Sequence, residues 1–218
     1  MGLGSLEMVR LGIPPSLAVA FPMDFVPAMQ AAFPKISLCV REAWTGHLVE
    51  LLVDKKLDYV VISRCQLRPG MSALDLISES LCLVSRRARC ADAVTWDQLV
   101  STPLVLPPPP HGTRMVLDAA FRRAGLLPRI ALETEVLKVM TSVVVSGAAS
   151  AVLSRRDAVN QFEWGKYIAR PITGPELRNE LVLAWRDNAG LHHIETLADG
   201  LAQRLRRALR NPRHQAVE

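Results

Sequence analysis

The sequence lacks the features that would mark a membrane protein, a secreted protein or a zinc protein. None of its apolar runs approaches the roughly 20 residues that a helix needs to span a bilayer. The N-terminus has no cationic region followed by a long apolar stretch, so we expect no secretory signal and a cytoplasmic location. The four cysteines include no C-x-x-C pair with zinc-ligand spacing, and we expect reduced thiols.

Common catalytic signatures are also missing. The sequence contains no G-x-S-x-G, no G-x-G-x-x-G after a strand-like run and no P-loop. His192 and His193 are adjacent, so they do not share one helix face as metal ligands four residues apart would. No acid and base pair can be placed either. We therefore expect neither an enzyme nor a bound metal or cofactor.

The composition is that of a soluble globular chain. Of 218 residues, 50% are hydrophobic and 22% are charged, which suits one large domain or two small lobes. The net charge of +5 is concentrated in a C-terminal cluster of arginines: Arg204, Arg206, Arg207, Arg210 and Arg213. We interpret this cluster as a solvated helix end, where cations favour the negative pole. Direct phosphate contact is the alternative, but no groove-entering element lies nearby.

Strand-like and helical patterns alternate in the first third of the chain. Residues 9–13, 36–40 and 57–62 are strand-like, and the first two of these runs are each followed by a helical pattern. Strands that alternate with helices predict right-handed crossovers and a parallel sheet. The carboxyl ends of such strands form a ligand crevice. Pro15-Ser16, Thr45-Gly46 and Ser63-Arg64 should therefore gather at one edge.

The rest of the chain predicts a second β/α unit and a return to the first. Further strands are predicted at residues 73–77, 81–84, 104–106, 129–133, 149–153, 167–172 and 180–185, and helices at 25–33, 96–100, 113–124, 136–145 and 192–209. In the helix at 25–33, we expect Phe25, Met29, Ala32 and Phe33 to face the core. Cys39 is also expected to be a core residue. The fold class is therefore α/β, with two β/α lobes and a cleft between them, as in type 2 periplasmic-binding-protein folds.

Five short segments carry a family resemblance: residues 9–17 (VRLGIPPSL), 33–36 (FPKI), 48–58 (LVELLVDKKLD), 80–84 (SLCLV) and 144–153 (VVSGAASAVL). Their order and spacing resemble the effector-binding domain of LysR-type transcriptional regulators. The sequence departs from the family pattern at Lys56, Ala149 and Ser154. The peroxide-sensing branch has a cysteine pair near the segment that here spans residues 110–121. This segment contains no cysteine, so we expect no thiol switch.

The resemblance implies a domain organisation and a set of partners. Lobe I would comprise residues 8–78 and 178–218, lobe II residues 79–177, and residues 1–7 a linker or an added remnant. The family's winged helix-turn-helix has no counterpart here, so DNA would be bound only through that missing N-terminal domain. The family also implies a homodimer, in which the first-lobe helix of one subunit meets the second-lobe helix of its mate, and a tetramer in the full-length protein. A solute-binding protein of a transport system is the alternative, and a small enzyme on this fold is a third class.

The first-lobe candidates for ligand contact are Ser16, Thr45, Gly46, Ser63 and Arg64. A hydroxyl that opens a helix caps that helix or bonds a ligand, and both readings stay open for Ser16 and Thr45. The adjacent N–H groups and positive helix poles favour an anion such as a carboxylate. By resemblance, Ser16 and Thr45 match effector-contacting positions. Arg64 is either a fork for a ligand carboxylate or a surface arginine.

The second-lobe candidates are His111, Gly112 and Thr113, which correspond by resemblance to the other wall of the effector site. Gly112 permits close backbone approach. His111 is either an anion donor that also reports pH or a solvated loop residue. Thr113 is a ligand contact or only a helix cap. Glu133 and Thr134 approach the same site with less support. The expected partner is a small anionic effector, with no membrane contact.

Overall fold

The computed structural model describes residues 7–18, 21, 24–86, 92–162, 165–174, 176–187 and 194–210. The predictions made for residues 1–5, Cys90, His192, His193 and Arg213 fall outside these ranges. In the described ranges, no helix combines the length and the apolar character needed to cross a membrane.

The described chain forms two compact units. The first unit contains the described residues up to Ile77 and from Glu180 onward, and the second contains those from Ser78 to Asn179. The chain leaves the first unit within strand β4 (Met71–Arg86) and returns near the start of strand β10 (Arg178–Arg186).

The first unit is a mixed sheet with helices. Its further elements are β1 (Glu7–Ile13), α1 (Pro15–Ala18), α2 (Phe25–Ala32), β2 (Ile36–Glu42), α3 (Thr45–Val53), β3 (Tyr59–Ser63) and α8 (Ile194–Leu209). The strand order is β2-β1-β3-β10-β4. As predicted, β1 is parallel to both β2 and β3, whereas β10 is antiparallel to β3. The three parallel strands therefore end at one edge.

Strand β3 is buried on both faces, as expected for a central strand of a parallel sheet. Tyr59 and Val61 belong to the core cluster that includes α2 and α8 residues, and Val60 and Ile62 belong to the cluster of α3. Because successive side chains alternate between faces, α3 covers the sheet on the side opposite α2 and α8.

Two core assignments made from the sequence are wrong. Phe25 and Met29 are buried as predicted, but Ala32 is exposed. Helix α2 ends at Ala32, and the next residue, Phe33, packs against the core as predicted. Cys39 is only half-buried, because β2 is the edge strand of its sheet.

The second unit has a parallel pair and a mixed sheet. Its further elements are β5 (Val94–Thr95), α4 (Trp96–Ser101), β6 (Leu104–Leu106), α5 (Gly112–Arg123), β7 (Ile130–Glu133), α6 (Leu137–Ser146), β8 (Ala151–Ser154), α7 (Arg155–Gln161) and β9 (Tyr167–Thr173). Strands β6 and β7 are parallel, β5 is parallel to β9, and β8 and β9 are antiparallel to β4. The two runs predicted at 73–77 and 81–84 are one strand, and α7 escaped prediction.

Candidate functional site

In the first unit, the residues predicted from strand ends lie where parallel strands stop and helices start. Ser16 is the second residue of α1, directly after β1. Thr45 and Gly46 open α3 after β2, and Ser63 is the last residue of β3. The carbonyl of Ile13 at the end of β1 accepts a hydrogen bond from the Ala43 N–H at 3.2 Å, which holds the segment before α3 beside the end of β1.

A buried glutamine joins two of these residues. The Gln66 side chain donates through Nε2 to Thr45 Oγ1 at 3.1 Å, and its Oε1 accepts from the Ser63 backbone N–H at 3.0 Å. Thr45, Ser63 and Gln66 are 4%, 1% and 6% exposed. The Ser63 hydroxyl lies beside the Gln66 backbone N–H, as in a capping box, without a hydrogen bond of ordinary geometry. Gln66 thus fixes the Thr45 hydroxyl at the end of β3.

The sequence analysis did not identify Gln66 as a site residue, although the sequence contains a pattern that indicates its position. Ser63 and Gln66 form the S-x-x-Q pattern of a capping box, which predicts a short helix with its side chains turned back on the strand end. The helix is the single 3₁₀ turn Arg64–Gln66. The contact with Thr45, which is 21 residues away, could be identified only in the folded chain.

Arg64 is already paired within the first unit. Its guanidinium forms salt bridges with Asp75 and, at 3.2 Å, with Glu180. The Arg64 side chain is 43% exposed. These partners favour the surface-arginine reading, and a ligand carboxylate would have to displace one of them.

In the second unit, the predicted residues open α5. His111 is the N-cap residue with extended backbone, and its side chain makes no capping hydrogen bond. Gly112 and Thr113 are the first two helical residues and are buried. Thr113 is therefore not the helix cap. The parallel strands β6 and β7 place the loop after Leu106 beside Glu133, and the Thr134 N–H donates to the Leu106 carbonyl at 3.0 Å.

Arg114, which was also missed, ties this region together. Its Nε donates to the Asp118 carboxylate at 2.8 and 2.9 Å, and its Nη1 donates to the Pro107 carbonyl at 3.3 Å and to the Glu133 carboxylate. Burial opposes the charge on Arg114, but the two carboxylates outweigh it and raise its pKa. The i,i+4 spacing of Arg114 and Asp118 was visible in the sequence. The contact with Glu133 was not.

His111 is held in its neutral form. Burial lowers its pKa from 6.5 to about 4, because an enclosed imidazolium loses hydration. A neutral imidazole can still donate one N–H to a ligand, but it brings no positive charge. In this unit, the groups that favour an anion are the first N–H groups of the 12-residue helix α5.

No cluster that could hold a metal ion occurs among the described residues, when groups of three or more His, Cys, Asp and Glu are considered. The cysteines within the described ranges, Cys39, Cys65 and Cys82, are free thiols. Burial raises the pKa of Cys65 and, to about 12, that of Cys82, so both are protonated near neutral pH.

Comparisons of this chain with a family model, with related sequences and with solved structures all point to one family. A family model described as the LysR substrate binding domain matches residues 4–209. The HTH-type transcriptional regulator BbuR of Bordetella bronchiseptica is 25% identical, over 98% of this chain and 67% of its own length. A cysteine mutant of OxyR from Corynebacterium glutamicum superposes with a TM-score of 0.77 at 19% identity, over 95% of this chain and 66% of that chain.

When the comparison is with an isolated regulatory domain, the superposition covers nearly all of both chains. The reduced OxyR regulatory domain of Pseudomonas aeruginosa superposes with a TM-score of 0.72 at 19% identity, over 92% of this chain and 98% of that domain. The chain thus spans about two thirds of the regulators that it matches and almost all of an isolated regulatory domain. The shared fold is the α/β fold of type 2 periplasmic-binding proteins. The chain therefore belongs to the LysR substrate-binding domain family, the effector-binding domains of LysR-type transcriptional regulators.

Proposed function

We propose that the domain senses a small anionic effector through its strand-end residues. The observation that carries this proposal is the buried Ser63–Gln66–Thr45 connection at the edge where three parallel strands end. Polar groups this buried need fixed partners, and their placement at strand ends is typical of ligand sites in α/β sheets. Ser16 and Gly46 lie on the same edge of the first unit.

We propose a separate contribution from the second unit. The start of α5 offers buried backbone at Gly112 and Thr113 and a neutral His111. Because His111 carries no charge, its contribution to effector affinity should change little between pH 6 and 8. Arg64 contributes only if an effector carboxylate displaces Asp75 or Glu180.

The proposal includes the domain's role in a larger protein. The two compact units would be the lobes proposed from the sequence, residues 8–78 with 178–218 and residues 79–177. An effector that binds one conformation more tightly would shift subunit packing in a homodimer, or in the tetramer of the full-length protein. DNA would be bound by an N-terminal domain. The domain would act in the cytoplasm without catalysis, a cofactor or a metal.

The first experiment is a thermal-shift screen with small carboxylates and phosphate esters, followed by calorimetry on the compound that stabilises most. Thr45→Ala and His111→Ala should each weaken its binding by about 1.5–3 kcal/mol for a charge-assisted hydrogen bond, or less where His111 donates as a neutral group. Ser142→Ala, which removes an exposed hydroxyl on α6, is the matched control. Wild-type affinity in both site variants would remove these residues from the effector site.

A further inference from the structure

A groove of about 410 Å³ lies in the first unit, where the start of α2 meets the last turns of α8. Its wall includes Asp24, Phe25, Ala28, Gln203, Arg204 and Arg207. This volume is in the range of small-molecule sites. None of the strand-end residues discussed above lines it.

Arg204 is fixed across the groove wall. Its Nη1 donates to the Gly200 carbonyl at 3.0 Å, and its Nη2 donates to the Ala28 carbonyl of α2 at 3.1 Å. Its Nε is buried and has no hydrogen-bond partner among the residues that the structure describes. The guanidinium thus keeps N–H donors that these two hydrogen bonds do not use. Its orientation is set by contacts with its own helix α8 and with α2.

Arg207 supplies a second guanidinium. Within the described ranges it forms no salt bridge, whereas the adjacent Arg206 donates to the Asp75 carbonyl at 2.7 Å. The only carboxylate among the described lining residues is that of Asp24, so positive charge exceeds negative charge in the groove. Phe25, which is 2% exposed, and Ala28 provide an apolar wall.

We propose that this groove is a second ligand site, which binds the oxyanion of a small carboxylate or phosphate through Arg207 and Arg204. Guanidinium groups bind such oxyanions through paired N–H donors, and an unpaired guanidinium beside an apolar wall fits that chemistry. The arginine cluster that we interpreted as a solvated helix end is therefore divided in its roles. Arg204 and Arg206 hold neighbouring segments, and Arg204 and Arg207 line the groove.

The test is calorimetric titration of the whole chain with inorganic phosphate and, separately, with citrate, at constant ionic strength. Arg207→Gln should weaken binding of the preferred anion by about tenfold, since it removes charge-assisted hydrogen bonds. Arg210→Gln is the matched control, because Arg210 lies just beyond α8, is exposed and does not line the groove. It should change affinity by less than about twofold. Asp24→Asn should tighten binding, since it removes a repelling carboxylate.

The competing explanation is that Arg207 only offsets the negative pole of α8. Arg207→Lys separates the two, since it keeps the charge at the helix end but loses the planar fork. If the groove is a ligand site, Arg207→Lys should bind the anion more weakly than the wild type while its thermal stability is unchanged. Equal affinities of the Lys variant and the wild type, or equal losses in Arg207→Gln and Arg210→Gln, would overturn the proposal. So would the absence of wild-type binding to both anions at about 10 mM, or weaker binding by Asp24→Asn.

Discussion

At the scale of single residues, Asp58 is a buried carboxylate with several hydrogen bonds to one partner, Arg10. It is 2% exposed and accepts hydrogen bonds from the Arg10 backbone N–H at 2.8 Å, from Arg10 Nε at 3.0 Å and from Arg10 Nη2 at 2.9 Å. The hydrogen bond to Asp58 is the main reason that the pKa of Arg10 is raised. The pair joins β1 to the start of β3.

We predict that Asp58→Ala lowers the free energy of unfolding by about 2 kcal/mol, because it leaves the Arg10 donors without their acceptor. Asp54→Ala is the control. Asp54 lies four residues earlier and forms an exposed salt bridge with Lys56 at 3.1 Å. It should change stability by less than about 0.5 kcal/mol. Urea denaturation of both variants measures this difference, and equal effects would contradict it.

His111 makes stability depend on pH with a definite sign. Its pKa is lowered by burial from 6.5 to about 4, so between these values the unfolded chain binds a proton that the folded chain does not. The free energy of unfolding should therefore fall as the pH decreases from about 6.5 to 4, by up to about 3 kcal/mol. His111→Gln should remove this part of the profile. Urea denaturation across this range provides the measurement, and parallel profiles for wild type and variant would show that His111 is not responsible.

At the scale of elements, the packing of α3 on β1 depends on Gly12. A Cβ atom there would lie 2.6 Å from side-chain carbons of both Leu48 and Leu57, each 0% exposed. Gly12→Ala should therefore destabilise the protein by about 1–3 kcal/mol through overpacking. The same substitution should cost less in a Leu48→Ala background, where the overlap with Leu48 is relieved and only that with Leu57 remains. Additive effects in this double-mutant cycle would argue against direct overlap.

At the scale of the whole molecule, the proposed dimer requires a surface that the monomer leaves open. On α2, Phe25 and Met29 face the core, whereas Val26 is 39% exposed and Gln30 is exposed beside it. The expected mate is α5 of a second subunit, and one substitution acts twice in such a symmetric contact. This dimer stays a prediction from the family resemblance.

We predict that Val26→Glu weakens the dimer without unfolding the chain. Val53→Glu introduces the same charge at a valine of α3 that is 44% exposed, and it should leave the dimer intact. Sedimentation analysis at several concentrations, with circular dichroism as the folding control, separates the two variants. A wild-type chain that stays monomeric at high concentration would refute the dimer, as would a folded Val26→Glu variant with unchanged self-association.

Local patterns in the sequence were sufficient to predict most helices and strands and to identify the family. The alternation of strands and helices predicted the parallel arrangement of β1, β2 and β3, and the helix predicted at 96–100 is α4. Such features depend on neighbouring residues, so a single chain segment contains the information for them. The same patterns placed Thr45 at a helix start and His111 in the loop before the helix that begins at Gly112.

Only the tertiary structure decided which distant groups meet. Gln66 reaches Thr45 across 21 residues, Arg114 reaches Glu133 across 19, and Arg207 reaches the groove at the start of α2. The exposure of Ala32 and the half-burial of Cys39 likewise depended on where α2 ends and on β2 being an edge strand. Periodicity predicts which face of an element is apolar, but packing of the whole chain determines what covers that face.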